Sequence, residues 1–177
     1  MATATGTDIY LSHEWGGNSK TDHGKVSKIN KALQQLGYIT WLDNNNQQVI
    51  GNIRDQIESR IENTKCFIAF ITDRYHDRVV GGNGKDYCRL EFNYASSDNI
   101  KVPMIGIVLD TAMKSTSNWK GNVGLSLSSK LYVDMTGNID DQTYLTKQLG
   151  ILQQMLNDMA IKPSNLKYCE EEKGILL

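Results

Sequence analysis

The chain lacks what several common protein classes are built from. Its three cysteines, Cys66, Cys88 and Cys169, are odd in number and form no C-x-x-C pair, which excludes a disulfide framework and a zinc ribbon and points to reduced thiols. Charge is balanced: 19 Lys+Arg against 20 Asp+Glu leave a net charge of −1, too little for a nucleic-acid grip resting on bulk charge. The longest apolar runs, 66–71 and 102–109, fall far short of the ~20 residues that span a bilayer. The opening MATATGTD has neither the basic nor the apolar part of a signal peptide. Together these absences lead to the expectation of a cytoplasmic protein with no membrane segment.

Motifs for resident cofactors are missing too. The phosphate-loop pattern fails twice at Gly24-Lys25, where Ser19 and Val26 stand in the wrong places, and twice at Gly84-Lys85, where Val79 and Asp86 do. No G-x-G-x-x-G follows a strand, so no tightly held dinucleotide is expected. His13, His23 and His76 have no metal-ligand spacing. A G-x-S-x-G elbow is absent, and Glu170, Glu171 and Glu172 read as a solvated run.

What is present is alternation. At about 150 residues per domain, 177 residues make one domain, and the 40% hydrophobic fraction is enough for a core that buries roughly 70% of the unfolded surface. Strands are expected at 8–13, 38–43, 65–72, 102–110 and 130–134. Val26, Ile29, Leu33 and Leu36 mark a helix stopped by Gly37, and Ile53, Ile57 and Ile61 mark a second. A third runs from Asp86 to about Ser97, with Leu90, Tyr94 and Cys88 inward. Leu145, Leu149, Leu152, Leu156 and Met159 mark the last. Residues 73–85 read as irregular, 111–128 as a long loop around Trp119, and 161–177 as a loose tail after a domain spanning 7–160. This order predicts an α/β fold with an open five-stranded parallel sheet and helices on both faces.

In such sheets ligands sit at the carboxyl ends of the strands. That rule selects His13 to Gly17, Asp43 to Gly51, Asp73 to Lys85 and the helix start at Asp86. Among the acids there, Asp43 reads equally as a turn former and Glu14 as an exposed side chain. Glu91 stands out because Tyr87 and Cys88, four and three residues before it, are unusual flanks for a solvent-facing glutamate. The residues alone leave it either a surface acid or a functional group.

Four segments in order, DIYLSHEW, GYITWLDNNNQQVIGNIRDQI, IENTKCFIAFITDRY and DYCRLEFNYA, resemble the successive boxes of Toll/interleukin-receptor (TIR) domains over roughly residues 7–110, and NWKGNVGLSLSSKLYVD resembles a later part of some of them. The resemblance implies a flavodoxin-like fold. It also implies one of two kinds of function. Some TIR domains are scaffolds that assemble through homotypic TIR–TIR contacts. Others cleave NAD⁺ at the nicotinamide–ribose bond, giving nicotinamide and ADP-ribose or a cyclic isomer, in immune or cell-death signalling.

The enzymatic kind places a glutamate in a W-C-x-x-E-like motif, which here reads Tyr87-Cys88-Arg89-Leu90-Glu91. On this resemblance Glu91 is the catalytic residue. His13, Trp15, Asp43 and Tyr87 contact NAD⁺, which is substrate rather than cofactor. Trp15, Tyr87 and Tyr75 are the aromatic candidates to flank the cationic ring, and Trp41 is left to the core. The loop from Asp43 to Gly51 matches one that shapes the pocket and mediates self-assembly. Several enzymatic members carry a basic residue after the first strand; here His13-Glu14-Trp15 stands in its place, which assigns phosphate contact to Lys20, Lys25 or Lys85. A receiver domain, which shares the sheet order, would need clustered acids at the end of the first strand, and DIYLSH has none there.

Overall fold

A computed structural model describes residues 6–15, 21–42 and 52–165. In chain order the elements are β1 (Thr7–Ser12), α1 (Thr21–Gln35), β2 (Thr40–Leu42), α2 (Ile53–Glu62), β3 (Thr64–Ile71), α3 (Asp73–Gly81), α4 (Tyr87–Ala95), β4 (Met104–Val108), α5 (Gly121–Leu127), β5 (Tyr132–Asp134) and α6 (Gln142–Asp158). The five strands form one parallel sheet in the order β2-β1-β3-β4-β5, the flavodoxin-like arrangement.

Alternation along each strand divides the core in two. Ile9, Leu11, Cys66, Ile68, Phe70, Ile105 and Ile107 face α1 and α6, meeting Val26, Ile29, Leu33, Leu149 and Leu152. Tyr10, Phe67, Ala69, Ile71 and Val108 face the opposite layer, meeting Ile57 and Ile61 of α2, Tyr75 and Val79 of α3, Phe92 of α4 and Val123 of α5. Every residue of β3 from Cys66 to Ile71 is buried, because helices cover both faces of the central strand.

Several expectations need correction. Residues 73–81 are a helix, α3. Their polar sequence offers only Tyr75 and Val79 as an i, i+4 apolar pair, and the helix is started by the Thr72 side chain accepting from Tyr75 N. The 111–128 stretch holds two 3₁₀ turns and α5. Gly121 and Gly124 hide that helix from propensity. Gly124 is needed because a Cβ there would lie 2.3 Å from the Trp119 carbonyl oxygen. Helix α4 buries Cys88, Glu91, Phe92 and Ala95, while Leu90 and Tyr94 are half-buried. Trp41 is half-buried at the sheet edge, with the Arg60 guanidinium 3.4 Å above its ring.

The expected tail begins packed. Ile161 joins the first core, and Ser164 donates to the buried Asp8 carboxylate from both its backbone N–H (2.9 Å) and its hydroxyl (2.5 Å). Asn165 N–H donates to the Gly37 carbonyl. At Gly37, φ is 87° and an added Cβ would meet the Asn165 oxygen at 2.6 Å, so only glycine lets the segment pass.

Candidate active site

Chain order along the sheet reverses between β1 and β3, which opens a crevice at their carboxyl ends. Ser12 ends β1 there, Thr72 follows β3 and caps α3, and Asp86 caps α4 by accepting from Arg89 N. These two caps aim α3 and α4 along the crevice. Glu91, one turn into α4, is only 7% exposed. Its Oε2 accepts a hydrogen bond from Ser12 Oγ at 2.6 Å, and Ser12 Oγ is 2.9 Å from the Tyr75 hydroxyl. One turn earlier, the Cys88 thiol donates to the His13 carbonyl at 3.6 Å. The buried face of α4 is thereby seated on the residues leaving β1.

His13 is buried, and its Nε2 shares a hydrogen bond with His23 Nδ1 at 2.9 Å. Burial first, and the neighbouring His23 second, push its pKa down to about 4, so the ring is neutral at neutral pH. Trp15 stacks on His23 with centroids 4.6 Å apart and lies 5.1 Å from the His13 ring. The tertiary structure thus brings His13 and Trp15 together with a third ring from α1. Burial, reinforced by the charge of Glu91, drives the Cys88 thiol well above its usual range, which removes it as a nucleophile.

Of the other expected site residues, Tyr87 is 45% exposed at the start of α4, one turn before Glu91. Asp43, with the loop to Gly51, lies outside the described residues, as does Lys20. Lys25 is half-buried and Lys85 exposed. Tyr75 is fully buried beneath the crevice, so it cannot lie against a ligand ring. Glu14 is buried rather than exposed. Its Oε1 pairs with Arg74 Nη2 at 3.2 Å and Arg78 Nη1 at 3.3 Å, and Arg78 Nε also pairs with Asp86 at 2.8 Å. Positive charge therefore reaches the end of β1 from α3.

Sequence reasoning missed Ser12, His23, Tyr75 as a buried partner, Arg74 and Arg78. The available signal was Ser12 at a strand end, facing the same crevice as the acids. His76 accepts from Lys120 N–H at 2.8 Å, a structural role. Among the described residues no three His, Cys, Asp or Glu side chains are grouped to hold a metal, and no helix is long and apolar enough to cross a membrane.

A parallel 2-1-3-4-5 sheet with a buried glutamate at its switch point defines the class of protein. The family model for the TIR domain matches residues 9–149, and the chain belongs to the TIR domain family. Among solved structures it is similar to the TIR domains of the activated Roq1 resistosome that directly recognises the pathogen effector XopQ, with a TM-score of 0.56 and 13% identity over 86% of this chain and 99% of that one. At that identity the likeness concerns the fold. No curated protein matches the chain.

Proposed function

We propose that this TIR domain is an NAD⁺ glycohydrolase, with Glu91 as its catalytic residue. The observation that carries the reading is the burial of the Glu91 carboxylate at the switch point, held by Ser12. The reaction is NAD⁺ + H₂O → nicotinamide + ADP-ribose + H⁺. Nicotinamide leaves a cationic ring as a neutral molecule, taking the C1′–N bonding pair, so it needs no general acid and a single carboxylate suffices. Glu91 stabilises the positive charge that grows on the ribose as that bond breaks.

The Trp15 ring supplies a face for the pyridinium, with His13 and His23 backing it. The diphosphate lies towards Arg74, whose half-exposed guanidinium retains donors beyond its Glu14 contact. Attack by a purine nitrogen of the same molecule, in place of water, gives a cyclic isomer.

The matched Roq1 TIR domains belong to an assembled resistosome, and this favours a second role in immune signalling through homotypic TIR–TIR association. As a scaffold alone, the domain would need no chemistry; as an assembly-activated enzyme, it would need both. Incubation of concentrated protein with NAD⁺, followed by chromatography of nicotinamide, tests the enzyme. Wild-type release that falls at least about 100-fold in Glu91→Ala supports it. No release, or equal release by the variant, leaves the scaffold reading, in which partner capture survives Glu91→Ala and is lost when the 43–51 loop is replaced.

A further inference from the structure

The direction of the hydrogen bonds around Glu91 follows from what each group can give. An ionised carboxylate only accepts, so the single Ser12 proton goes to Glu91 Oε2 across 2.6 Å. Ser12 Oγ then has only lone pairs to offer at its 2.9 Å contact with Tyr75, and the phenol is the donor there. The phenol keeps its proton: burial, then the nearby Cys88 and Glu91, hold it well above the usual tyrosine range. Ser12 and Tyr75 are 1% and 0% exposed, and they come from β1 and α3 while Glu91 comes from α4.

Packing does not account for the two hydroxyls. The Tyr75 ring meets the edge of Phe92 at 6.5 Å, a contact phenylalanine would make equally well. Among the described residues the Tyr75 hydroxyl bonds Ser12 alone, and Ser12 bonds only Tyr75 and Glu91 through its side chain. Buried hydroxyls of this kind cost stability unless paired, and what their pairing accomplishes here is a directed chain ending on one oxygen of Glu91.

We propose that Ser12 and Tyr75 are positioning residues: the relay Tyr75 O–H → Ser12 O–H → Glu91 fixes the rotation of the carboxylate and keeps it ionised for work on the ribose. The catalytic part rests on the proposed NAD⁺ cleavage; the relay itself does not. Donation to the charged form lowers a carboxyl pKa, so loss of the relay raises it. Among the described residues, Cys88 on its own helix and Tyr75 on α3 act on Glu91, and Asp86, Arg78, Glu14 and the His13 backbone surround Cys88. Arg78 is shared between Glu14 and Asp86, and His13 and Cys88 are neutral at working pH. Of the charged residues of α2, Glu62 accepts from the Tyr94 hydroxyl of α4, Arg54 donates to the Gly84 carbonyl in the loop before α4, and Arg60 lies over the Trp41 ring.

The test compares Ser12→Ala, Ser12→Thr and Tyr75→Phe with wild type by steady-state cleavage of NAD⁺ and by carbon-detected NMR titration of the Glu91 carboxyl. Expected for Ser12→Ala is a kcat lower by about 10- to 100-fold, the range a hydrogen bond to a charged group supports, with KM within about twofold. Tyr75→Phe, which keeps the ring and the fold, falls in the same direction by less, and Ser12→Thr recovers activity. The Glu91 carboxyl pKa rises in Ser12→Ala, moving the acid limb of kcat upward. An unmoved carboxyl titration and unmoved kcat in both deletion variants overturn the relay. Wild type without turnover, or Glu91→Gln as active as wild type, overturns the catalytic reading instead, while the NMR titration still decides whether the relay exists.

Discussion

Arg74 Nη2 lies 3.2 Å from Glu14 Oε1, and the same buried oxygen takes Arg78. An acid placed just after the first strand therefore collects two guanidiniums at the rim of the crevice. Arg78 is held at two points and Arg74 at one, so Arg74 is the freer to turn towards a diphosphate. Arg74→Ala is expected to raise KM for NAD⁺ by about 3- to 10-fold with kcat within about twofold, because an exposed charge pair contributes uniform binding. Initial-rate kinetics at low and moderate salt check this, and the difference between the proteins shrinks as salt rises.

Cys66 and Cys88 are buried thiols whose ionisation is suppressed, Cys66 by burial to a pKa of about 12. At pH 8 only about one in ten thousand Cys66 thiols is then ionised, and only the thiolate reacts. Alkylation of the native protein followed by peptide mass spectrometry should leave both unmodified, and unfolding in urea should expose both.

Asp8 is fully buried at the opposite end of β1, where it accepts from Ile39 N–H, Ser164 and Lys65. Burial alone would raise its pKa; Lys65 and the Ser164 and Ile39 hydrogen bonds outweigh burial and hold it below 3.8. A carboxyl depressed on folding contributes stability that is complete above its unfolded value and lost as pH falls through the folded one. Asp8→Ala is expected to cost about 1–2 kcal/mol at neutral pH, since it removes the buried acceptor shared by Ile39 N–H, Ser164 and Lys65, whose own donors can still reach water. Urea unfolding measures the loss, and the variant should narrow its deficit only below about pH 4.

His13 acts in the same direction, over a higher pH window. Its pKa falls from 6.5 to about 4 on folding, so between those values the unfolded chain binds a proton that the native state excludes. Stability should decline as pH drops through that window, by about 3 kcal/mol at the full shift. His13→Gln should flatten the slope between pH 6.5 and 4.5 in urea unfolding, and leave untouched the loss from Asp8 at lower pH.

The strands and the strongly periodic helices were legible because each carries its own pattern. Val26, Ile29 and Leu33 read as a helix from spacing alone, and β3 reads as a central strand because all its inward and outward positions are apolar. Helix α3 was illegible because its buried face is short and partly polar: only Tyr75 and Val79 are apolar there, and His76 is the third buried position. Helix α5 was concealed by two glycines, Gly124 required by the close Trp119 carbonyl and Gly121 by its positive φ. Glu91 could be selected by its flanking residues, but the exposure of Tyr87 and the burial of Tyr75 depend on how α3 and α4 pack, which no spacing encodes.

Local order along the chain was enough to establish the parallel sheet, its strongly periodic helices and the family, because backbone periodicity and short-range motifs are properties of neighbours in sequence. The polarity at the crevice was not written there. Ser12 meets Glu91 across 79 residues, and Glu14 meets Arg74 across 60. Hydrogen bonds and ion pairs act over a few ångströms in space, so only the folded arrangement of β1, α3 and α4 decides which side chains share that distance.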